Sequence, residues 1–350
     1  MVYSGYRDRV VSIGDIGERA LLSRILERMP TGREHTLLGP GDDAAILAAP
    51  DNRTVISTDT LIEGPDFRLD WSTPQQLGHK AIVVNLADIA AMGARPTGLV
   101  VALAAPADTE VAFLESLASG MADALQRQAP DIGIVGGDLA TAPQLVIAVT
   151  VFGTLDGAAP VTRSGANPGD IVAIAGAMGH AAAGLDLCFG GALQAGAPAL
   201  PAAQRQLIEH QLAPNPPIDA GVTARIHGAT AMLDVSDGLL LDAHRLAQAS
   251  GVTLDLRPAR WRDETLALAA KRGCSNEEAL AFELNGGEDH ALLATFPATV
   301  DDAPTSLPVP FRQIGVVQQS ADAPVTVDGA AAPATGWDPY AAASTGTTSR

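Results

Sequence analysis

The sequence predicts a two-domain protein of mixed α/β (α+β) structure. A chain of 350 residues exceeds the usual size of a single hydrophobic core, so two domains are expected. Helical and strand-like apolar patterns follow one another in both halves, and residues 161–170 between the halves are rich in turn formers. We therefore expect an N-terminal domain over residues 1–160, a C-terminal domain over residues 161–340 and a flexible tail over residues 341–350.

Helices and strands alternate in the N-terminal half. Residues 13–29 carry apolar side chains on one helical face, which predicts the first helix, and the β-branched residues 55–57 predict a short strand. Residues 74–92 are typical of a helix because Thr73 can cap it, a proline opens it and a glycine follows it. Apolar spacing then predicts a strand, a helix and a strand at residues 98–104, 109–127 and 145–153.

The C-terminal half begins with a strand at residues 171–175, followed by a helix near residues 179–189. A second helix is expected from Asp237 to Ser250, closed by Gly251. Glycines 176, 179 and 184 do not have the Gly-x-Gly-x-x-Gly spacing of a dinucleotide loop, so we interpret them as sites of tight helix packing. The chain also has no Gly-x-x-x-x-Gly-Lys-Ser/Thr phosphate loop.

Composition and charge exclude several classes of partner. A formal net charge of −18 argues against non-specific binding of nucleic acid or an anionic membrane. Cys188 and Cys274 lie far apart without metal-ligand spacing, which indicates a reducing compartment. The first ten residues show no apolar signal core, and no stretch approaches twenty unbroken apolar residues. These features predict a cytoplasmic protein.

Six short acidic motifs recur along the chain beside apolar runs. They are Gly41-Asp42-Asp43, Ser57-Thr58-Asp59, Asn85-Leu86-Ala87-Asp88, Gly136-Gly137-Asp138, Asp234-Val235-Ser236-Asp237 and Gly286-Gly287-Glu288-Asp289. Two like charges 4 Å apart repel by roughly 4 kcal/mol at an effective dielectric near 20, so a group of carboxylates requires cations or protons. Hard oxygen ligands favour magnesium, which usually keeps water and phosphate oxygens as further ligands. The motifs therefore predict a magnesium-dependent nucleotide site.

Ordinary structural roles also fit these residues when each is taken singly. Asp is a common turn and cap residue, and Gly-Asp pairs are turn signals. Ser236 or Asp237 is suited to cap the helix that follows them. Arg163 is either a solvated side chain or a phosphate ligand, and Trp337 either packs in a core or stacks on a flat ligand.

In combination and order, the motifs resemble those of the thiamine-monophosphate kinase family, within the aminoimidazole ribonucleotide synthetase-like superfamily. The resemblance extends from about Gly14 to Tyr340. Its most specific parts are Gly-Asp-Asp-Ala-Ala from residue 41, Ser-Thr-Asp-Thr-Leu from 57, the segment 80–94, Gly-Gly-Asp from 136, Arg-Ser-Gly-Ala-Asn-Pro-Gly-Asp from 163, Asp-Val-Ser-Asp-Gly-Leu from 234 and Gly-Gly-Glu-Asp from 286.

The resemblance implies a homodimer in which the N-terminal sheets of two subunits pair, with the active site in the cleft between the domains. By position in the family's motifs, the magnesium ligands would be Asp43, Ser57, Thr58, Asp59, Asp88, Asp138, Asp234 and Asp237. ATP would contact Gly137, Asp138, Arg163 and Ser236, and the thiamine moiety would contact Glu288 and Trp337. Asp59 and Asp88 are the residues on which turnover is expected to depend most.

The chain departs from the family in the segment Gly64-Pro65-Asp66-Phe67, where the family usually has histidine in place of Asp66. A carboxylate there would repel a substrate phosphate and attract the cationic thiazolium, so Asp66 is assigned to substrate binding. The segment from Gly336 to Tyr340 also lacks the His-Phe ending common in the family.

The implied reaction transfers the γ-phosphoryl group of ATP directly to thiamine monophosphate, with magnesium as cofactor. Aminoimidazole ribonucleotide synthetase shares the scaffold and is an alternative, although the Ser-Thr-Asp-Thr-Leu and Gly-Trp-Asp segments favour the kinase. Selenophosphate synthetase is disfavoured because no cysteine precedes residue 188, and the hydrogenase-maturation relative because the C-terminal cysteine is absent. A non-catalytic nucleotide-binding dimer that lost turnover through Asp66 is a further alternative.

Overall fold

A computed structural model describes residues 11–16, 18–30, 34–40, 44–300, 303–304 and 306–337. The predicted tail at residues 341–350 and the predicted ligand Asp43 lie outside these ranges. The chain forms two compact units. The first comprises Met1–Ala48, Thr58–Ile82 and Thr97–Val151, and the second comprises Ala49–Ser57, Val83–Pro96 and Phe152–Arg350.

The chain combines helices and strands throughout, as the sequence predicts. The helices of the described residues are α1 (Ile13–Ile16), α2 (Glu18–Leu26), α3 (Pro74–Ala91), α4 (Val111–Gln128), α5 (His180–Phe189), α6 (Ala202–Leu212), α7 (Ile218–Ile226), α8 (Leu239–Ser250), α9 (Arg262–Arg272) and α10 (Asn276–Asn285), with a 3-10 turn at Pro258–Arg260. The strands are β1 (Thr36–Leu38), β2 (Ile46–Leu47), β3 (Val55–Ile62), β4 (Arg95–Ala105), β5 (Ile134–Thr141), β6 (Val146–Thr154), β7 (Ile171–Ala175), β8 (Ala231–Val235), β9 (Thr253–Leu256), β10 (Ala291–Phe296), β11 (Thr299–Val300), β12 (Ala303–Pro304), β13 (Arg312–Gln318), β14 (Val325–Val327) and β15 (Ala330–Ala331).

Most of a four-stranded sheet belongs to the first unit, with the strand order β3-β6-β4-β5. Strands β4 and β5 are parallel, and Ala102 pairs with Asp138 in their register. The predicted strands at residues 98–104 and 145–153 and the predicted helices at 74–92 and 109–127 are confirmed to within a few residues. The predicted strand at residues 55–57 is longer than expected and continues to Ile62.

Strand β5 contains Gly136-Gly137-Asp138, so this motif is not the turn that a Gly-Asp pair by itself would indicate. All three residues lie within this strand. A Cβ on Gly137 would come within 2.0 Å of the Val101 carbonyl oxygen, so the glycine allows β5 to approach β4 closely. The motif therefore carries Asp138 on an edge strand of the sheet.

An apolar cavity of about 730 Å³ lies within the first unit. Its lining comes mainly from α2, α4, β4 and β5, and includes Leu22, Ile25, Leu103, Leu114, Met121 and Val135. Gly137 and Asp138 also border it. The volume is within the range of small-molecule pockets.

The second unit contains a seven-stranded sheet with the order β15-β14-β9-β13-β7-β10-β8. Its pairings are antiparallel except for the parallel pair β14 and β9. Strands β8 and β10 are buried along their whole length, and Trp261 and Phe296 are among the largest buried side chains. This buried sheet holds the end of β8 and the start of β10 in fixed positions. The described helices include none long and apolar enough to cross a membrane.

Helices α5 and α6 pack closely at Gly184. A Cβ at this position would lie 2.1 Å from the carbonyl oxygen of Leu207 on α6, so only glycine fits. The expectation that this glycine serves helix packing is confirmed.

We expect Gly184→Ala to lower the free energy of unfolding by about 1–3 kcal/mol, because α6 must move away from α5. The matched control is Gly190→Ala at the end of the same helix, where φ is −68° and the nearest atom would be 3.3 Å away. Chemical denaturation followed by circular dichroism measures both variants. Equal stabilities of the two variants would contradict the packing explanation.

Candidate active site

Strand β8 and the turn that follows it carry three of the predicted site residues in the second unit. Asp234 is the fourth of the five buried residues of β8, and Ser236 and Asp237 form the turn into α8. The N-cap of α8 is Gly238, with φ of +122° and no side-chain hydrogen bond. The interpretation of Ser236 or Asp237 as a helix cap is therefore wrong, and both side chains have other surroundings.

Arg245 of α8 joins two carboxylates beside this turn. Its Nη1 donates to Asp237 Oδ2 at 2.6 Å and to Asp242 Oδ1 at 2.7 Å. Asp242 Oδ2 accepts from the backbone amide of Asp237 at 3.0 Å. Burial raises the pKa of Asp242 to about 6, and the charge of Asp234 adds to this rise against the opposing effect of Arg245. Arg245 thus pairs with Asp237 and Asp242, and Asp234 is a further carboxyl group near enough to Asp242 to affect its pKa.

The segment Gly286–His290 lies against the same turn. The amide of Glu288 donates to Ser236 O at 2.8 Å, and the amide of His290 donates to Val235 O at 3.0 Å. The His290 ring nitrogen Nδ1 lies 3.3 Å from Asp234 Oδ2. Glu288 and His290 have φ values of +67° and +50°, a left-handed conformation that non-glycine residues rarely adopt. The backbone contacts hold Glu288 beside Ser236.

Asp289 anchors this segment to the N-terminus of α5. Its Oδ2 accepts from the amide of Gly179 at 2.5 Å, and its Oδ1 accepts from the amide of Ala181 at 2.9 Å. Gly179 is the N-cap of α5 and has no side chain, so Asp289 supplies the capping carboxylate from another part of the chain. His210 Nε2 lies 3.2 Å from Asp289 Oδ1 but is not aligned for a hydrogen bond.

Trp337 also contacts the turn, through its backbone. Its amide donates to Asp237 O at 2.8 Å, while 52% of the residue remains exposed. The core-packing interpretation of Trp337 is therefore wrong. Arg163 is exposed, and its carbonyl accepts from Ser250 Oγ at 2.8 Å. The second unit thus brings Asp234, Ser236, Asp237, Glu288 and the backbone of Trp337 together.

Ser57 and Asp88 form another contact within the second unit. Ser57 Oγ donates to Asp88 Oδ2 at 2.6 Å, although 31 positions separate the two residues. Asn85, which is almost fully buried, lies one helical turn before Asp88 on α3. A hydroxyl and a carboxylate in contact are two oxygen donors of the kind that magnesium prefers.

The predicted residues of the first unit lie apart from one another. Thr58 and Asp59 are on β3 and Gly137 and Asp138 are on β5, the two edges of the four-stranded sheet. Three strand spacings of about 4.8 Å separate these edges, or about 14 Å. Thr58 Oγ1 donates to Val149 O at 3.0 Å, whereas Asp59 and Asp138 are exposed.

Asp66 has a local contact in the first unit. Its Oδ2 accepts from the amide of Ile62 at 2.8 Å, and its own amide donates to Ile62 O at 3.1 Å. The carboxylate therefore closes the loop after β3.

The chemistry of the donors fits magnesium, because every predicted ligand offers a carboxylate or hydroxyl oxygen. Within the described part of the chain, no three His, Cys, Asp or Glu side chains form a ready metal-binding group. Ser57 and Asp88 together offer a hydroxyl and a carboxylate oxygen to a cation, whereas Asp237 is already paired with Arg245.

Sequence reasoning missed the residues that orient the site. Gln211 Nε2 donates to Glu288 Oε2, and Arg245 pairs with Asp237. The spacing of Asp242 and Arg245 on one helix was a readable signal for an ion pair. Gln211 gave none, because its partner lies 77 positions away.

We expect His180→Asn to weaken the loss of stability on acidification. Burial lowers the pKa of His180 to about 4 from its ordinary 6.5, against the opposing charge of Asp289. Between these values the unfolded chain binds a proton that the folded protein does not, so stability falls as the pH falls from 6.5 to 4. The contribution of His180 to this fall in the free energy of unfolding is at most roughly 3 kcal/mol.

Urea unfolding at pH 7, 6, 5 and 4.5 measures this effect, with the exposed His227→Asn as the control. If the free energy of unfolding of His180→Asn fell with pH as steeply as that of the wild type, His180 would not be the source of the acid sensitivity.

Comparison with known proteins places this geometry in a family. The family described as "AIR synthase related protein, N-terminal domain" matches residues 41–155. The thiamine-monophosphate kinase of Mycobacterium tuberculosis strain H37Rv is 44% identical over 320 residues, covering 91% of this chain and 90% of the relative.

Two solved structures have the same fold. The thiamine-monophosphate kinase of Stenotrophomonas maltophilia K279a matches with a TM-score of 0.72 and 32% identity, over 90% of this chain and 96% of that chain. AaThiL complexed with AMPPCP and TMP matches with a TM-score of 0.69 and 28% identity, over 95% and 99% of the two chains. The extent and level of these similarities show that the chain belongs to the thiamine-monophosphate kinase family.

Proposed function

We propose that this protein transfers the γ-phosphoryl group of ATP to the phosphate of thiamine monophosphate, forming thiamine diphosphate and ADP. The observation that carries this function is the 44% identity over 91% of the chain to a thiamine-monophosphate kinase. The similar structure of AaThiL with AMPPCP and TMP supports the two substrates. The grouping of Asp234, Ser236, Asp237 and Glu288 supports a phosphate and substrate site in the second unit.

Direct transfer requires no covalent enzyme intermediate. The acceptor is a phosphate monoester with a second pKa near 6, so it is mostly deprotonated at pH 7 and needs no general base. Catalysis then depends on in-line positioning of the two phosphates and on neutralisation of their charge. The chain's own contribution is to hold the acceptor and the nucleotide in line and to keep water away from the transferred group.

Magnesium is the cofactor in this proposal. Its ligands would be drawn from Asp43, Ser57, Thr58, Asp59, Asp88, Asp138, Asp234 and Asp237. When bound, it would neutralise charge on the phosphate oxygens during transfer. The contact between Ser57 and Asp88 supports this assignment, and so does the excess of carboxylates around Arg245.

Substrate contacts follow from the remaining residues. Gly137, Asp138, Arg163 and Ser236 would contact ATP, and the cavity beside Gly137 and the exposed position of Arg163 support this. Glu288 and the half-exposed Trp337 would contact the thiamine moiety. Asp66 would favour the cationic thiazolium, while its bond to Ile62 limits its movement.

The functional unit proposed here is a cytoplasmic homodimer with a domain boundary near residue 160. Within one chain, Asp59 and Asp138 lie on opposite edges of the four-stranded sheet. A metal site that used both acids would therefore draw on more than one chain, and we propose the pairing of two such sheets as that arrangement.

One assay tests the function. ADP release is measured with ATP and either thiamine monophosphate, thiamine or formylglycinamidine ribonucleotide, with and without a chelator. We expect release with thiamine monophosphate alone, and loss of that release on chelation. Release with formylglycinamidine ribonucleotide would favour the cyclase alternative, and nucleotide binding without turnover would favour the non-catalytic dimer.

We expect Asp59→Asn and Asp88→Asn to lower kcat by on the order of 100-fold, because each removes a carboxylate that would hold the magnesium needed to neutralise the transferring phosphates. The affinity for ATP should change far less. Steady-state kinetics at saturating magnesium measure the effect, and the exposed Asp131→Asn serves as the control. Wild-type turnover in either site variant would count against its metal role.

A further inference from the structure

We propose that Gln211 is a positioning residue that sets the direction of the Glu288 carboxylate and thereby the affinity for the thiamine moiety. This inference rests on the proposed function, in which Glu288 contacts that moiety. Gln211 lies in the last turn of α6, is 4% exposed, and donates from Nε2 to Glu288 Oε2. None of the sequence motifs includes it.

The backbone of Glu288 is already held on both sides. Its amide is bonded to Ser236 O at 2.8 Å, and the next residue, Asp289, caps α5 through two amides. These contacts fix the backbone on both sides of Glu288 and so stabilise its left-handed φ of +67°. The remaining freedom of Glu288 is rotation of its side chain, and the bond from Gln211 selects one direction.

The donor itself is fixed by the packing of its helix. Helix α6 meets α5 at the close contact between Gly184 and Leu207, and α5 is bound at its N-terminus by Asp289. Three contacts therefore form a closed frame of α5, α6 and the segment Gly286–His290. A buried amide on such a frame loses little entropy when it holds a partner.

The chemistry of this pair suits recognition of a cation. A carboxamide donates to a carboxylate without cancelling its negative charge, whereas Lys or Arg would neutralise it. With Oε2 held by Gln211, the carboxylate keeps its charge in one orientation. The thiazolium of thiamine monophosphate carries a positive charge that an oriented carboxylate attracts.

The test compares Gln211→Met with Gln204→Met. Met matches the length of Gln and removes the donor, and Gln204 of the same helix donates a similar bond to Arg272 O at 2.9 Å. We expect Gln211→Met to raise KM for thiamine monophosphate about tenfold, which corresponds to about 1.4 kcal/mol, because the variant no longer donates a hydrogen bond to the charged Glu288. Its KM for ATP and the kinetics of Gln204→Met should stay within about twofold of the wild type.

A double-mutant cycle with Glu288→Gln separates positioning from a general structural effect. We expect Gln211→Met to have little further effect on KM for thiamine monophosphate in the Glu288→Gln background. An equal effect in both backgrounds, or an unchanged KM in the single variant, would overturn the proposal. Should Gln211→Met not fold, Gln211→Glu keeps the size and replaces the donor by a like charge, so the same rise in KM is expected.

The activity of the wild type distinguishes failure of the Gln211 proposal from failure of the proposed kinase function. An active wild type with an unchanged Gln211→Met refutes the positioning role and leaves the kinase function intact. A folded wild type without turnover of thiamine monophosphate refutes the function, and the role of Gln211 falls with it.

Discussion

The carboxylate of Asp289 is the contact on which the candidate site of the second unit depends. It binds the first amides of α5, a helix whose own N-cap is a glycine without a side chain. Two left-handed residues flank it, and each such residue costs roughly 1–2 kcal/mol. A buried acid at a helix N-terminus offsets part of that cost, because the amides and the helix dipole both favour its charge. With Asp289 held, Glu288 lies beside Ser236, and His290 lies beside Asp234.

Charge balance gives this arrangement its chemical character. Arg245 pairs with Asp237 and Asp242, and Asp234 is close enough to raise the pKa of Asp242. Arg245 pairs with two of these three carboxyl groups, and His290 lies beside the third, so a proton or a cation would complete the balance. In a chain with a net charge of −18, phosphates have little protein charge to attract them. A bound divalent cation would balance the carboxylates and attract the phosphates. Ser57 and Asp88 also offer oxygen donors that suit such a cation.

Local signals predicted much of the fold. The helix at Pro74–Ala91 and the helix that ends at Ser250 were readable because caps, prolines and glycines act over a few residues. A Gly-Asp pair taken singly is a turn signal, but Gly136-Gly137-Asp138 lies within β5, where Gly137 allows close approach to β4. The sequence left core packing and ligand stacking open for Trp337; the residue is half exposed, and its backbone amide is bonded to Asp237 O.

The sequence alone was enough to identify the family, the oxygen chemistry of the acidic motifs and helices α3, α4, α5 and α8, because these follow from residue types and short-range order. Folding was needed to establish which groups meet. Gln211 contacts Glu288 across 77 positions, Asp289 reaches Gly179 across 110, and Ser57 reaches Asp88 across 31. Such contacts depend on how closely α5 and α6 pack and on where β8 and β10 end. Gly184 indicates the short distance between α5 and α6 only once Leu207 is known to be its neighbour. A local sequence pattern does not identify a contact partner that lies far away in the sequence and is brought near only by tertiary packing.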